Sequence, residues 1–326
     1  MLDEVYPRLV FELIPNELKK SPIVQSDFLH KNCRDLNESV YGVLLKSIYK
    51  RNAESNIGLK FGEHLHPSAL CDLSRLLITA DTIGDAFEIF KRSHHMLGAS
   101  FYPFFIKKNG VLIVALTFPY KSNVSLFQRR FVTEAAFSYV ANAISSEAKE
   151  RFIPLRASFN YPAPGYYCEY YSMFGRNIQF DTTLSVLEID SQCMSNPLSS
   201  REPLLNSVYM KKCHDRDQSP PKNLPFRNSV VNAVLDQHLF TSEELANLMN
   251  LSIRGMQRKL SLEGTSFLHL VNQARRELAK IYLLIERRTE EYTAEKLGFQ
   301  SLKGFQRFFK RQFGISPSEY VLHNLR

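Results

Sequence analysis

Apolar positions along this chain change their spacing more than once, and each change predicts a different kind of structure. Over about 38–52, 67–79 and 82–97 they recur every three or four residues, with Ile83, Ala86, Phe87 and Phe90 on one face, which predicts amphipathic helices. Phe101 to Ile106 and Val111 to Phe118 read as strands, and Lys108-Asn109-Gly110 between them holds the Asn-Gly pair of a tight hairpin. A long helix over about 126–149 follows. Leu155 to Tyr161 is a strand, 162–165 a Pro-Ala-Pro-Gly turn, a short helix ends at Gly175, and strand-like runs lie near 177–181 and 184–190. This order predicts an α+β N-terminal domain, with helices packed on an antiparallel sheet.

From about residue 223 the pattern is helical throughout and contains the same short motif twice. Arg254-Gly255-Met256-Gln257-Arg258-Lys259-Leu260 aligns with Lys303-Gly304-Phe305-Gln306-Arg307-Phe308-Phe309, the leading cations 49 residues apart. Each copy follows a short helical pattern with a turn signal, Ala246 to Leu251 and Ala294 to Phe299, which is helix-turn-helix spacing. Helical periodicity turns Ile253, Met256 and Leu260 inward in the first copy, leaving Arg254, Gln257 and Arg258 outward. In the second, Leu302, Phe305, Phe308 and Phe309 face inward and Lys303, Gln306, Arg307 and Lys310 outward. Glutamine pairs with adenine and arginine with guanine in the major groove. Phe267, Leu270, Val271, Ala274, Leu278, Ile281, Tyr282 and Ile285 form an apolar stripe between the copies, a connector able to hold two reading helices in successive grooves roughly 34 Å apart. Thr241-Ser242-Glu243-Glu244 and Ser316-Pro317-Ser318-Glu319 are capping boxes, and Asn250 and Gly298 sit where a left-handed turn residue is expected.

At these residues the chain resembles the AraC/XylS family of bacterial transcription regulators, over about 226–322. The resemblance is carried by Leu260 to Phe267, Leu297-Gly298-Phe299, and Phe309 to Pro317 with Ser318, Glu319 and Tyr320 after it. It implies two recognition helices, one reading through Arg254, Gln257 and Arg258 and the other through Lys303, Gln306 and Arg307. The chain departs from the family at Glu290 and Thr293, where an apolar residue is usual, and Glu295 and Lys296 add polarity, so the helix behind the second reader is expected to pack loosely. Over about 20–195 the chain also resembles the arabinose-binding-like N-terminal domain of the subgroup that includes ornithine-utilisation regulators. Gly58 to Glu63, Thr82 to Phe87, Tyr161 to Pro164, Glu169-Tyr170 and Phe174-Gly175 carry that likeness. It implies a sensing or dimerising domain.

Composition agrees with this division. The 326 residues, 44% of them hydrophobic, suffice for two cores, expected at 1–199 and 223–326 with 200–222 as connector. From residue 223 there are 15 Lys/Arg against 10 Asp/Glu, a basic surplus that permits nucleic-acid binding without proving it. No run of about 18 apolar residues and no basic flank at the N-terminus is present, so a cytoplasmic location with no membrane partner is expected. Cys33, Cys71, Cys168, Cys193 and Cys213 lack metal spacing and are expected to be reduced thiols, mostly packed as small apolar residues; the absence of a cysteine cluster also disfavours thiol-based alkyl transfer.

Neither His64 with His66 nor His94 with His95 has helical metal spacing, so no metal and no cofactor is expected. Arg129 and Arg130 with Glu134 read as a solvated face, and Tyr166, Tyr167, Tyr170 and Tyr171 as packing residues rather than pocket walls. No phosphate-binding, dinucleotide or nucleophile motif supports catalysis, so the chain is not expected to be an enzyme. The expectation is a transcription activator that binds double-stranded operator DNA, contacts RNA polymerase, responds to an unidentified small molecule and forms a homodimer. A constitutive DNA-binding protein whose N-terminal domain only dimerises or meets another protein is the alternative.

Overall fold

The computed structural model describes residues 56–65, 72–94, 101–119, 126–148, 151–217 and 225–324. The helix expected over 38–52, and Cys33, Cys71, His66 and His95, lie outside them. Two compact units emerge, one mainly up to Pro220 and the other mainly from Pro221.

Among the described residues, the first unit contains in chain order α1 (Ile57–His64), α2 (Asp72–Ile78) and α3 (Ile83–Ser93). Thr82 and Asp85 form a reciprocal capping box that starts α3, and Gly84 lets that helix approach Met194, whose carbonyl oxygen would lie 2.9 Å from a Cβ there. The hairpin of β1 (Tyr102–Lys108) and β2 (Val111–Thr117) turns through Asn109 and Gly110, with φ of 49° and 76°. Then come α4 (Leu126–Ala148), β3 (Arg156–Ser158), α5 (Tyr167–Phe174), β4 (Ile178–Gln179), β5 (Ser185–Asp190) and α6 (Pro203–Asp217). The strands lie in the order β1-β2-β5-β3-β4. Val111 pairs opposite Asp190 and Arg156 opposite Glu188 in antiparallel ladders, as the expected antiparallel sheet requires, and the short β3–β4 pair at its edge is parallel. A helix intervenes between β3 and β4, long enough to return the chain in the same direction.

Phe159 anchors an aromatic core, its ring 4.9 Å from Tyr170, 5.3 Å from Phe180, 5.6 Å from Phe174 and 5.8 Å from Phe137. Helices α1 and α4 touch through Gly58 and Gly62: a Cβ on Gly62 would lie 2.2 Å from the Ala135 carbonyl oxygen. Residues 203–217, within the expected connector, are helical, and Asn206 Nδ2 of α6 donates to the Leu76 carbonyl at 3.0 Å and to Thr79 Oγ1 at 3.2 Å.

The second unit is all-α: α7 (Phe226–Gln237), α8 (Ser242–Leu248), α9 (Ile253–Leu262), α10 (Phe267–Lys280), α11 (Glu290–Lys296), α12 (Leu302–Phe313) and α13 (Pro317–Asn324). The long connector ends its α-helical part at Lys280 and finishes in a π-helical turn over Ile281–Ile285. Its stripe is buried from Leu270 to Tyr282, while Phe267 and Ile285 are half-buried.

Candidate nucleic-acid interface

Two helix-turn-helix units are built by the same local devices. Thr241 caps α8 in a capping box with Glu244, and Thr289 caps α11 through the Tyr292 backbone N–H at 3.2 Å. Asn250 (φ 51°) and Gly298 (φ 72°) make the two left-handed turns. After them the Leu251 N–H donates to the Ala246 carbonyl and the Phe299 N–H to the Ala294 carbonyl, both at 2.9 Å. Ser252 then caps α9 by accepting from the Gly255 N–H at 3.0 Å, and Ser301 caps α12 by accepting from the Gly304 N–H at 3.2 Å. A Cβ on Gly255 or Gly304 would stand 3.1 or 3.2 Å from that serine oxygen, closer than an ordinary van der Waals contact. The serine is part of the repeat, two residues ahead of Arg254 and Lys303, and a serine three residues before a glycine is its signal in the sequence.

Met256 and Leu260 seat α9, and Phe305, Phe308 and Phe309 seat α12, all buried. Ile253, expected to face inward, is 36% exposed because it stands at the first helical position, beyond the packed turn. Arg254, Gln257 and Arg258 are exposed together on α9, and Lys303, Arg307 and Lys310 on α12. Among the described residues none of these five cations is held in an ion pair. Gln306 differs. It is half-buried, and its Nε2 donates to Glu290 Oε2 at 2.9 Å.

Glu290 and Thr293 do not leave α11 loosely held, contrary to the sequence expectation. Glu290 Oε1 also accepts from Ser318 Oγ at 2.5 Å, which joins α11 to α12 and α13. Thr293 is fully buried in the place Leu245 takes in α8, and its Oγ1 donates to the Thr289 carbonyl at 2.8 Å, so its hydroxyl enters the core satisfied. Arg275 of α10 has a role that periodicity did not disclose. Its guanidinium lies 4.9 Å from the Phe240 ring and 4.6 Å from the Phe299 ring, and its Nε donates to the Leu297 carbonyl at 2.9 Å. Burial lowers its affinity for its proton. One side chain thus ties the loop before α8 to the turn between α11 and α12. Glu277 and Lys280, both buried, pair on the same helix.

The first unit carries a different kind of site. Glu134 is buried rather than part of a solvated face, with its Oε1 3.7 Å from Arg130 Nε and accepting from Tyr166 Oη at 2.7 Å and from Tyr170 Oη. Burial pushes its carboxyl up to about 7, against the lowering pull of the two tyrosine hydroxyls and Arg130. Tyr170 is buried as expected for packing, but Tyr167 and Tyr171 are 44% and 43% exposed. A cleft of about 640 Å³ opens between α1, α4 and α5, within the size range of small-molecule sites. Lys60, Glu63, Arg151 and Glu169 give it charges of both signs, and Phe152 and Met173 apolar wall. Of the described cysteines Cys213 is buried, Cys193 is partly exposed and Cys168 is exposed. No group of His, Cys, Asp and Glu among the described residues could hold a metal, and no described helix is long and apolar enough to cross a membrane.

Comparison with known proteins finds separate family matches in the N-terminal and C-terminal parts of the chain. Residues 29–198 match the family described as "Arabinose-binding domain of AraC transcription regulator, N-term", and residues 245–322 match a "Helix-turn-helix domain". An ornithine utilization regulator of Pseudomonas aeruginosa is 22% identical over 275 residues, 82% of this chain and 78% of that protein. The transcriptional activator NphR of a Rhodococcus species is 32% identical over 100 residues, 29% of this chain and 30% of NphR. The crystal structure of the transcriptional regulator CdpR from Pseudomonas aeruginosa aligns over 98% of both chains at 17% identity with a TM-score of 0.48. The chain belongs to the AraC family of transcription regulators.

Proposed function

We propose that this AraC-family chain is a sequence-specific activator: it reads operator DNA through Arg254, Gln257 and Arg258 of α9 and Lys303, Gln306, Arg307 and Lys310 of α12, and a small molecule controls it. The observation that carries this reading is the doubled arrangement of a capped helix, a cation, a glutamine and an arginine on exposed or half-exposed positions, with the hydrophobic face turned to its own core. Phosphate contacts place such a helix and base edges select the sequence. RNA polymerase is the partner that activation requires.

The cleft between α1, α4 and α5 is the effector site in this reading. Walls bearing both signs suit a dipolar molecule with an amine and a carboxylate, and the name of the Pseudomonas relative makes ornithine the first of these to test. Homodimerisation is supported by Leu204, Leu205, Val208 and Met210 of α6, which are 77%, 48%, 48% and 47% exposed and offer apolar surface to a second copy. The domain division at 1–199, 200–222 and 223–326 is part of the same proposal.

Genomic footprinting of the full chain, with and without a panel of amino acids, tests the whole reading, because a ligand shifts an equilibrium only by its differential affinity for two states. Protected sites that share a motif and change with one compound support it. Protected sites indifferent to every compound, together with an unchanged melting temperature, would favour constitutive binding with a purely dimerising N-terminal domain.

A further inference from the structure

Gln257 and Gln306 hold the same place in the repeat but have different surroundings. Gln257 is exposed on α9. Gln306 is half-buried and donates through Nε2 to Glu290 Oε2 at 2.9 Å, while the other oxygen of that carboxylate accepts from Ser318 Oγ at 2.5 Å. Glu290 is therefore held from α12 and from α13 at once, and turning away from Gln306 breaks both bonds. A primary amide exposes a donor end and an acceptor end of nearly the same shape, whereas an ionised carboxylate only accepts. Facing the carbonyl of Gln306 toward Glu290 would set acceptor against acceptor. The amide is thus confined to one of its two orientations. With one N–H given to Glu290 it retains the second N–H and its carbonyl, the donor–acceptor pair that adenine N7 and N6–H complement in the major groove.

Resting on the DNA-reading function proposed above, we infer that Glu290 is a positioning residue for base readout, which pre-sets Gln306 so that the second reader discriminates adenine more sharply at its glutamine than the first reader does at Gln257. Two costs that Gln257 meets on binding, ordering its rotamers and choosing an amide orientation, are already met at Gln306. Glu290 also carries a negative charge close to a phosphate-binding face, which opposes every DNA sequence alike. Removing it should therefore relieve general repulsion while weakening base preference, two effects of opposite sign that separate positioning from mere support.

The test selects full-length protein on a randomised duplex library and then measures affinity for duplexes carrying each of the four bases at the pair under Gln306. E290A should lower the adenine preference at that pair about tenfold, the scale of one good base contact, and leave the pairs under α9 unchanged. E290Q, which can still accept through its carbonyl, should retain most of the preference, and S318A, which leaves the Gln306 bond in place, should retain it too. Adding E290A to Q306A should remove no further preference. The inference is overturned if E290A weakens all four duplexes equally, if its effect adds to that of Q306A, or if S318A reproduces it. Preference kept at the other pairs under α12, those met by Lys303 and Arg307, shows that the second half of each variant is folded. A wild-type selection with no preferred sequence anywhere would instead overturn the DNA-reading function itself.

Discussion

The two helices proposed to read DNA share a sequence pattern, a serine cap and a left-handed turn, yet they are supported by different chemistry. Behind α9 stand aliphatic contacts: Met256 and Leu260 are buried, as are Leu245 and Ala246 of α8. Behind α12 stands a ring cluster, in which Phe309 lies 5.7 Å from Phe305, 4.2 Å from Phe313 and 5.2 Å from Tyr320. Polar bonds through Glu290 and Thr293 complete it. A shared motif therefore places two helices alike without supporting them alike. The polar substitutions in α11 are not defects in an apolar stripe, because each has a geometric partner that keeps its polar atoms satisfied.

The largest test of this contrast removes the anchors. Phe309→Ala should destabilise the second half by about 3–5 kcal/mol and Met256→Ala the first by about 2–5 kcal/mol, read by denaturant unfolding with hydrogen exchange resolved along the chain. Exchange rising equally in α8–α9 and α11–α13 after either change would mean that the halves unfold as one body and that their separate supports do not matter.

Alanine at Arg254, Gln257 or Arg258 should cost about 1–3 kcal/mol on the preferred operator and much less on random DNA. Equal losses on the two would remove base reading from α9. The caps should be equivalent where the anchors are not: Ser252→Ala and Ser301→Ala should each cost about 1 kcal/mol of stability. A negligible effect at one serine alone would show that its helix start is held by something else.

Glu290→Ile restores an apolar residue to α11 and should nonetheless cost roughly 1 kcal/mol of stability, because Gln306 and Ser318 both lose their acceptor. A rise in melting temperature would reinstate the loose-packing view. The smallest effect is expected at Lys310, where alanine should weaken all DNA sequences alike and shallow the salt dependence by about one counterion. An unchanged slope would mean that this lysine meets no phosphate.

Local regularities were legible without coordinates because they repeat at the period of a helix or mark its ends. The doubled motif, the capping boxes at Thr241 and Ser316, the turns at Asn250 and Gly298 and the Asn109-Gly110 hairpin each follow from a few neighbouring residues obeying backbone sterics or satisfying end groups. The outward cations of α9 and α12 follow from the same periodicity. What tertiary structure alone decided are the meetings of residues distant in sequence. Glu134 reads as a surface charge from its neighbours Arg129 and Arg130, but Tyr166 and Tyr170, more than thirty residues on, enclose it. Glu290 reads as a fault in a stripe until Gln306 and Ser318 arrive beside it, and Arg275 as one cation among many until Phe240 and Phe299 close on its two sides. The physical reason is common to all three. Helical period tells which way a side chain points, whereas the fate of a polar group depends on whether water or a partner fills its hydrogen bonds, and folding alone brings that partner into reach.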